Sequence, residues 1–385
     1  MSEKVEAFVI SAPGIEPITL DELRLLGVKD ARLERGGITF QGRMESVYAA
    51  NLWLRSASRV LVRAARFHAD SFSELERRAK TIPWENFLPE GGDAEAVFRV
   101  TCRKSRLYHS DAVAERLMLA AARSGIRVRL AAKDAPADPD SEAPASGSQL
   151  FVVRLDHDEL TISADSSGDL LHRRGYRLEA TRAPLRETLA AAMILSSGWK
   201  PGNPLLDPLC GSGTIPIEAA MIANNVAPGH RRKFAFEQWP SFDSALWNGL
   251  REDAHGTGAM AAASILGADR DAGAIQIAAR NAERAGVSPN VEFVQQSLSA
   301  SLQDLESTSE SNFVLTNPPY GVRVTGGATL RDLYSTLGNA FKKHREWKLG
   351  ILTSDQKLVR AAGIRAEPVF RTQNGGIPVT FFVSK

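Results

Sequence analysis

Three short apolar runs in the second half of the chain each stop at a polar turn. Residues 205–220 read LLDPLCGSGTIPIEAA, residues 265–269 read ILGAD, and residues 313–321 read FVLTNPPYG. Runs of this length and composition suit strands buried on both faces. Helical stretches separate them: 214–224, then 271–285 with Gly286 placed to end it. Further strands are expected at 291–294, 349–353 and 379–383, and further helices at 329–344 and 356–362. This alternation predicts an α/β, doubly wound parallel sheet with a late antiparallel partner. Ligands of such sheets bind at the carboxyl ends of the strands.

The first of the three ends is the most informative. Asp207 closes the strand, and Gly211 and Gly213 lie in the turn that enters the helix. A dinucleotide site would want G-x-G-x-x-G, with the helix N-terminus facing a pyrophosphate. Here Pro216 takes the third position, and the Asp207 carboxylate would repel phosphate. An acid at this turn suits a cationic ligand, and S-adenosylmethionine carries a sulfonium and an ammonium. Asp269, at the end of the next strand, is then the expected acceptor for ribose hydroxyls. The competing reading is a structural strand–turn–helix with a surface acid. Either motif alone is weak; their order favours the cofactor.

The third end, Asn317-Pro318-Pro319-Tyr320, sets a rigid turn at the same sheet edge. Two prolines fix φ and donate no N–H, so the turn's carbonyls stay free to accept hydrogen bonds. The Asn317 side-chain oxygen and the Pro318 carbonyl can each accept one N–H of a planar exocyclic amine. Tyr320 can stack on the ring that carries it, once that base has left its own stack. Catalysis of methyl transfer to such an amine is chiefly positioning and electrostatics, without a strong general base.

Cysteine count removes a rival chemistry. Carbon methylation of pyrimidines needs a thiolate in the base pocket, but Cys210 lies in the cofactor turn and Cys102 in the other half. Two cysteines also rule out a four-cysteine zinc site and a disulfide framework. Net charge is +2, so a polyanion partner would have to meet a local patch rather than a domain-wide field. No uncharged apolar run is long enough to cross a bilayer, and Glu3 and Glu6 stand where a signal peptide would be basic and then apolar. A cytoplasmic protein without a membrane partner is expected; oligomeric state is not encoded legibly.

The first half reads as α+β. Strands are expected at 7–12, 38–40, 59–67 and 96–102, and helices at 15–26, 45–57 and 111–124, the last with Ser110 as N-cap. Arg59 and Arg63 share a face whether their segment is strand or helix. Residues 150–163 form a hairpin around Asp156-His157-Asp158-Glu159, with 96–102 as the strand it joins. The Pro-, Ala-, Asp- and Ser-rich stretch 133–149 is read as a disordered loop inside this half. Arg103, Lys104 and Arg106, beside Tyr108 and His109, offer phosphate charges next to a stacking ring. Arg173, Arg174 and Arg177, with Arg182, add a second basic run at the junction. Plain solvated surface is the competing reading for both. His109 and His172 are read as non-catalytic. The aromatic stretch Phe234, Phe236, Trp239, Phe242 and Trp247 is read as a long loop packing onto the sheet.

With these residues in hand, the chain resembles the THUMP-domain class I methyltransferases that modify guanine N2 in RNA, particularly the bacterial large-subunit ribosomal RNA group. The supporting strings run from APGIEPITLDELRLLG (12–27) and CRKSRLYHSDAVAERL (102–117) through SADSSGDLLHRRGYR (163–177) and APLRETLAAAM (183–193) to NPPYG (317–321). The resemblance implies a ferredoxin-like part at 1–58, a THUMP RNA-binding domain at 59–168, a junction at 169–183 and a Rossmann-like class I methyltransferase domain at 184–385. It implies that Asp207, Gly211, Gly213 and Thr214 line the methionine end of S-adenosylmethionine, the turn backbone of Cys210 and Ser212 beside them. Asp269 falls at the ribose, Arg270 beside it is among the cofactor-binding residues, and 183–189 closes the pocket. Asn317 to Tyr320 carry the target amine, with Asn317 also reaching the cofactor. The chain departs from the family after the third strand, where the usual acid that binds the adenine amine is replaced near Gln296-Ser297. One of these two accepts instead, or backbone alone holds the adenine.

The expected function is S-adenosylmethionine-dependent methylation of a guanosine N2 in RNA, ribosomal RNA ahead of transfer RNA. Methylation of another planar amine (adenine N6 or a glutamine amide) and a non-catalytic RNA-binding assembly role are the alternatives.

Overall fold

Gly27 ends the first helix at φ +82°, with its N–H on Arg24 O at 3.0 Å and that of Val28 on Leu23 O at 3.0 Å, the closing pattern of a Schellman stop. The computed structural model describes residues 4–89, 93–123, 127–130, 148–179, 185–256, 264–303, 312–319, 327–344 and 346–384. Tyr320, Arg182, residues 183–184 and most of the 133–149 stretch lie outside them. Gln149, at the end of that stretch, opens a strand, so the loop reading fails there.

Two compact units are present, and both are discontinuous in sequence: 1–10, 23–171 and 232–252 in one, 11–22, 172–231 and 253–385 in the other. The first is built on β1 (Val5–Ser11), β2 (Arg32–Glu34), β3 (Gly37–Gly42), α2 (Met44–Trp53), β4 (Ala57–His68), α3 (Phe72–Ala79), β5 (Asp93–Arg103), α4 (Ser110–Arg123), β6 (Arg127–Leu130), β7 (Gln149–Asp156) and β8 (Glu159–Asp165), while most of α1 (Glu16–Leu25) belongs to the other. Its eight strands form one sheet in the order β2-β3-β1-β4-β8-β7-β5-β6. The β7–β8 hairpin turns through His157 (φ +53°) and Asp158 (φ +63°), the double positive φ that matches strand twist. β7 pairs with β5, the strand at 96–102 that the hairpin was expected to join, and the pairing is parallel. Helix α2 stops at Trp53, and Ala57 already begins β4. Arg59 is fully buried on Asp165 and also donates to Gly168 O at 2.6 Å.

The aromatic stretch packs in this first unit rather than on the second sheet. Phe236 stacks on Tyr48 at 4.3 Å between centroids, Trp239 Nε1 donates to Gln149 Oε1 at 2.6 Å, and Trp247, on α7 (Ser244–Glu252), meets Phe236 edge-on. Arg232 begins the excursion by donating to Leu170 O and Asp169 O at 2.6 and 2.7 Å.

The second unit adds α5 (Glu187–Ser196), β9 (Leu205–Asp207), α6 (Thr214–Ala223), β10 (Ile265–Asp269), α8 (Ala272–Ala285), β11 (Glu292–Gln295), α9 (Leu298–Gln303), β12 (Phe313–Thr316), α10 (Gly327–Lys343), β13 (Lys348–Thr353), α11 (Gln356–Ala361), β14 (Ala366–Asn374) and β15 (Ile377–Ser384). The order is β11-β10-β9-β12-β13-β15-β14, with β9 to β13 parallel and β15 antiparallel between β13 and β14. Leu205, Phe313 and Leu315 point into one core, Leu206 and Val314 into the other. That is why these strands read as unbroken apolar runs rather than alternations. Order reverses between β9 and β12, so the crevice at their carboxyl ends is the topological switch point.

Candidate active site

Parallel register brings the carboxyl ends of β9, β10 and β11 together: Gly267 sits beside Asp207, and Asp269 beside Gln295. The turn after β9 is stitched to β10. Cys210 N–H donates to Ala268 O at 2.9 Å, Gly213 N–H to Cys210 O at 2.8 Å, and Gly211 N–H to Asp269 Oδ2 at 3.0 Å. Gly211 takes φ +53° and Gly213 φ +83°, the latter as the N-cap of α6. A Cβ on Gly213 would lie 2.9 Å from Ala278 Cβ and 2.9 Å from the Phe293 ring. This glycine therefore serves helix–sheet packing as much as any approach to a ligand. Ser212 and Thr214 are buried beside it.

Asp207 is 2% exposed, and its Oδ1 accepts from Leu209 N–H at 3.1 Å. Burial, with the nearby Asp269 charge adding, raises its carboxyl to about 7. A buried carboxylate so poised costs the fold desolvation energy that a cation would offset. Asp269 is half-buried and accepts a second N–H, from Asp271, at 3.0 Å; Arg270 is exposed next to it. The Cys210 thiol is pushed well above its ordinary value by burial, with Asp207 and Asp269 adding. It is a neutral thiol and no nucleophile.

Asn317 and Pro318 follow β12 directly, Pro318 buried and Pro319 exposed. Asn317 Oδ1 is buried and has no hydrogen-bond partner among the described residues. An amide oxygen removed from water and left open is costly to keep, and it is what an incoming N–H would satisfy. At the third strand end, Gln296 N–H donates to Asp269 O at 3.0 Å, and Ser297 Oγ accepts from Ala300 N–H at 3.3 Å at the start of α9. Ser297 thus spends one lone pair on its own helix and keeps one for a ligand.

One residue that the sequence reading passed over belongs with this group. Asn281 is fully buried on α8, and its Nδ2 donates to Ser212 O at 3.2 Å and Glu179 O at 3.3 Å. It pins the glycine turn from behind. The available signal was an amide on the apolar stripe Ala274, Ala278, Ala282, Ala285.

The basic residues divide. Arg103, Lys104 and Arg106 are exposed, Arg106 on Asp70 Oδ2 at 2.8 Å; the exposed Tyr108 ring lies 4.1 Å from that of His109. Arg173 is also exposed. Arg174 is not surface: its side chain is 1% exposed, and its Nε donates to Glu218 Oε1 at 2.9 Å, where Tyr176 OH also donates at 3.0 Å. Arg177 is mostly buried too, on Glu187 Oε2 and Leu185 O, both at 2.7 Å. Neither guanidinium is available to a phosphate, because a buried carboxylate already holds it. His172, its pKa lowered to about 3 by burial and then by Arg186, Arg177, Arg173 and Arg174, is a neutral imidazole.

An open sheet in this order, with acids ending its first two strands and an Asn-Pro-Pro turn ending its fourth, defines a Rossmann-like methyltransferase domain. Residues 174–381 match the model of the RMKL-like methyltransferase domain, and residues 6–61 match that of the RlmL ferredoxin-like domain. The chain belongs to the RMKL-like methyltransferase family. It is 36% identical, over 98% of its length and 53% of the relative's, to the ribosomal RNA large subunit methyltransferase K/L of Syntrophotalea carbinolica. It is 34% identical to YpsC of Bacillus subtilis, over 98% of this chain and 96% of that one. A structure solved in complex with SAH superposes with a TM-score of 0.81 at 32% identity, covering 100% of this chain and 98% of its own. The chain spans about half the length of the K/L relative. Among the described residues, no helix is long and apolar enough to cross a membrane, and no cluster of acids, histidines and cysteines could hold a metal.

Proposed function

We propose that the protein transfers a methyl group from S-adenosylmethionine to the exocyclic N2 of a guanosine in RNA, ribosomal RNA being the favoured substrate. The observation that carries this reading is the open, buried Asn317 Oδ1 just past the end of β12, the strand beside β9 and its Asp207. Family membership and the SAH-bound neighbour support the cofactor, and the name of the K/L relative supports the RNA.

The residues fit S-adenosylmethionine by the chemistry of their donors. Asp207 offers a buried carboxylate to its positive charge, Asp269 offers lone pairs to ribose hydroxyls, and the turn of Cys210, Gly211, Ser212, Gly213 and Thr214 offers backbone. Gln296 and Ser297 stand at the adenine, with Arg270 at the rim. When bound, the cofactor supplies an electrophilic methyl. The chain's own work is placement: Asn317 Oδ1 and the Pro318 carbonyl accept the two N–H bonds of the amine, fixing its plane. Pro319 stiffens the corner and Tyr320 covers the base. The amine becomes acidic as it is alkylated, so water can take the proton without a dedicated base. In this reading 1–58 and 59–168 are the ferredoxin-like and THUMP parts that engage RNA, 169–183 the junction and 184–385 the catalytic part, in a cytoplasmic protein.

The test is methyl transfer by the full chain to separated ribosomal and transfer RNA, followed by nucleoside analysis. N2-methylguanosine should form in one pool. Asn317→Ala should abolish it while leaving S-adenosylhomocysteine affinity within about twofold. Undiminished turnover by that variant would remove Asn317 as amine acceptor, and N6-methyladenosine as product would move the reading to the other planar amine.

A further inference from the structure

One face of the eight-stranded sheet carries an arginine cluster that the sequence reading did not assemble. Across β4, β8, β7 and β5, Arg63 lies opposite Ser163, which lies opposite Val152, which lies opposite Arg99. The next row on the same face is Arg66, Thr161, Arg154 and Thr101. Cross-strand partners and every second residue along a strand share a face. Arg63 and Arg66 are three apart, and they share one only because the register slips between Arg63 and Ala65. An extra residue there turns Arg66 to the arginine side.

At a strand spacing of ~4.8 Å, Arg66 and Arg154 stand about 10 Å apart, and Arg63 and Arg99 about 14 Å. Neither row contains an acid. Glu6 Oε1 comes within 3.6 Å of Arg63 Nε from the margin. In the row beyond, Glu159 and Asp156 are interleaved with His68 and Arg103. Arg63 lies over the Phe8 ring at 4.5 Å, and its Nη1 donates to Ser163 Oγ at 3.1 Å. Burial lowers its pKa; Glu6 and Glu34 oppose the shift, and the Arg154 and Arg66 charges add to it. Arg66, Arg154 and Thr101 are exposed, whereas Arg99 is buried and Arg63 mostly so, which leaves the Arg66–Arg154 row as the part open to a ligand. Gly36, at the tip of the β2–β3 hairpin, is so near Arg154 that a Cβ there would be 3.9 Å from Nη2. Four strand steps separate β3 from β7, so the sheet curls and its first hairpin overhangs the arginines. The face is a trough.

We propose that this trough is a track for the RNA phosphodiester backbone, continuous through Arg103 with the Lys104, Arg106, Tyr108 and His109 patch. It rests on the RNA reading given above. Guanidinium groups interleaved with hydroxyls suit phosphate oxygens. The rows present no exposed ring for base stacking and no exposed apolar anchor of the kind protein interfaces centre on. Val152, their one apolar member, packs against the Phe8, Ile10 and Leu61 cluster. Contacts made here hold the strand without reading its sequence.

The test uses the full chain and a labelled, mixed-sequence, single-stranded RNA of about 30 nucleotides, with Kd measured across a salt series. Each phosphate contact contributes ~0.7 to the log–log salt slope for single strands. Arg66→Ala with Arg154→Ala should therefore weaken binding at least about fivefold and flatten the slope by ~1.4. S-adenosylhomocysteine affinity should not change. Arg77→Ala, on the exposed face of α3, should match wild type in every readout. A double variant with wild-type Kd and slope would overturn the proposal. If the wild-type chain itself bound S-adenosylhomocysteine but no RNA, the broader reading would fall first and the track with it.

Discussion

Gly211 donates its N–H to Asp269 Oδ2 at 3.0 Å, so the turn after the first strand of the second sheet is tied to the end of its neighbour. The same carboxylate takes the Asp271 N–H on its other oxygen. It still has about two acceptor positions of roughly four open for hydroxyls. Asp269→Ala should lower S-adenosylhomocysteine affinity about tenfold or more, since hydrogen bonds to charged groups are each worth ~1.5–3 kcal/mol. Asp269→Asn, which keeps one acceptor, should lose less. Calorimetric titration decides this, and an alanine variant that binds like wild type would place the ribose elsewhere.

Gly213 makes a different prediction, about stability. Alanine there meets a left-handed φ of +83° and two neighbours at 2.9 Å, Ala278 Cβ and the Phe293 ring. The conformational cost is about 1–2 kcal/mol and the overpacking about 1–3 kcal/mol. Gly213→Ala should thus lower Tm by several degrees even without ligand. A fall in affinity with no change in Tm would mean that the glycine is there for ligand approach alone.

The parallel strands of the second sheet and their functional ends were legible because they are short and apolar and each stops at a residue with no reason to be buried: Asp207, Asp269, Asn317; their order in the sheet was not. The β7–β8 hairpin was legible because His157-Asp158 interrupts two alternating runs. Other features depend on partners far along the chain. Arg174 looks like one of a basic run, and only its approach to Glu218, 44 residues on, shows that it is buried. The aromatic stretch after Arg232 carries no mark of which sheet it will meet. The register slip after Arg63 adds one residue with nothing unusual in it, so the arginine rows appear only once strands are paired.

Asp207 should impose a pH dependence on cofactor binding. Its carboxyl is raised to about 7 in the fold from an ordinary value of 3.8. Between those values the folded chain holds a proton that the unfolded chain has released, so stability falls as pH rises through that window. A cation favours the ionised form, so S-adenosylmethionine affinity should rise with pH, by up to about tenfold per unit below 7, and level off above it. Asp207→Asn should flatten that profile and weaken binding at pH 8. Glu187, also raised to about 7 by burial, contributes to the stability slope with the same sign. Asp207→Asn should therefore remove only part of that slope. A profile equally steep in the variant would assign the titration to another group.

The buried Arg174–Glu218 pair permits a test that separates fold from RNA contact. Arg174→Met would leave the Glu218 carboxylate, wholly buried, with the Tyr176 hydroxyl but without its guanidinium. Breaking one side of a buried pair costs about 3–5 kcal/mol, enough to lower Tm sharply. Adding Glu218→Gln removes the stranded charge while keeping an acceptor for Tyr176, so the double variant should recover much of the loss. That gives a coupling energy well outside simple additivity. Because Arg174 is sealed from solvent, the salt slope of RNA binding should be the same in the recovered double variant as in wild type. A slope lower by ~0.7, one phosphate contact, would mean that this arginine leaves its carboxylate when RNA binds.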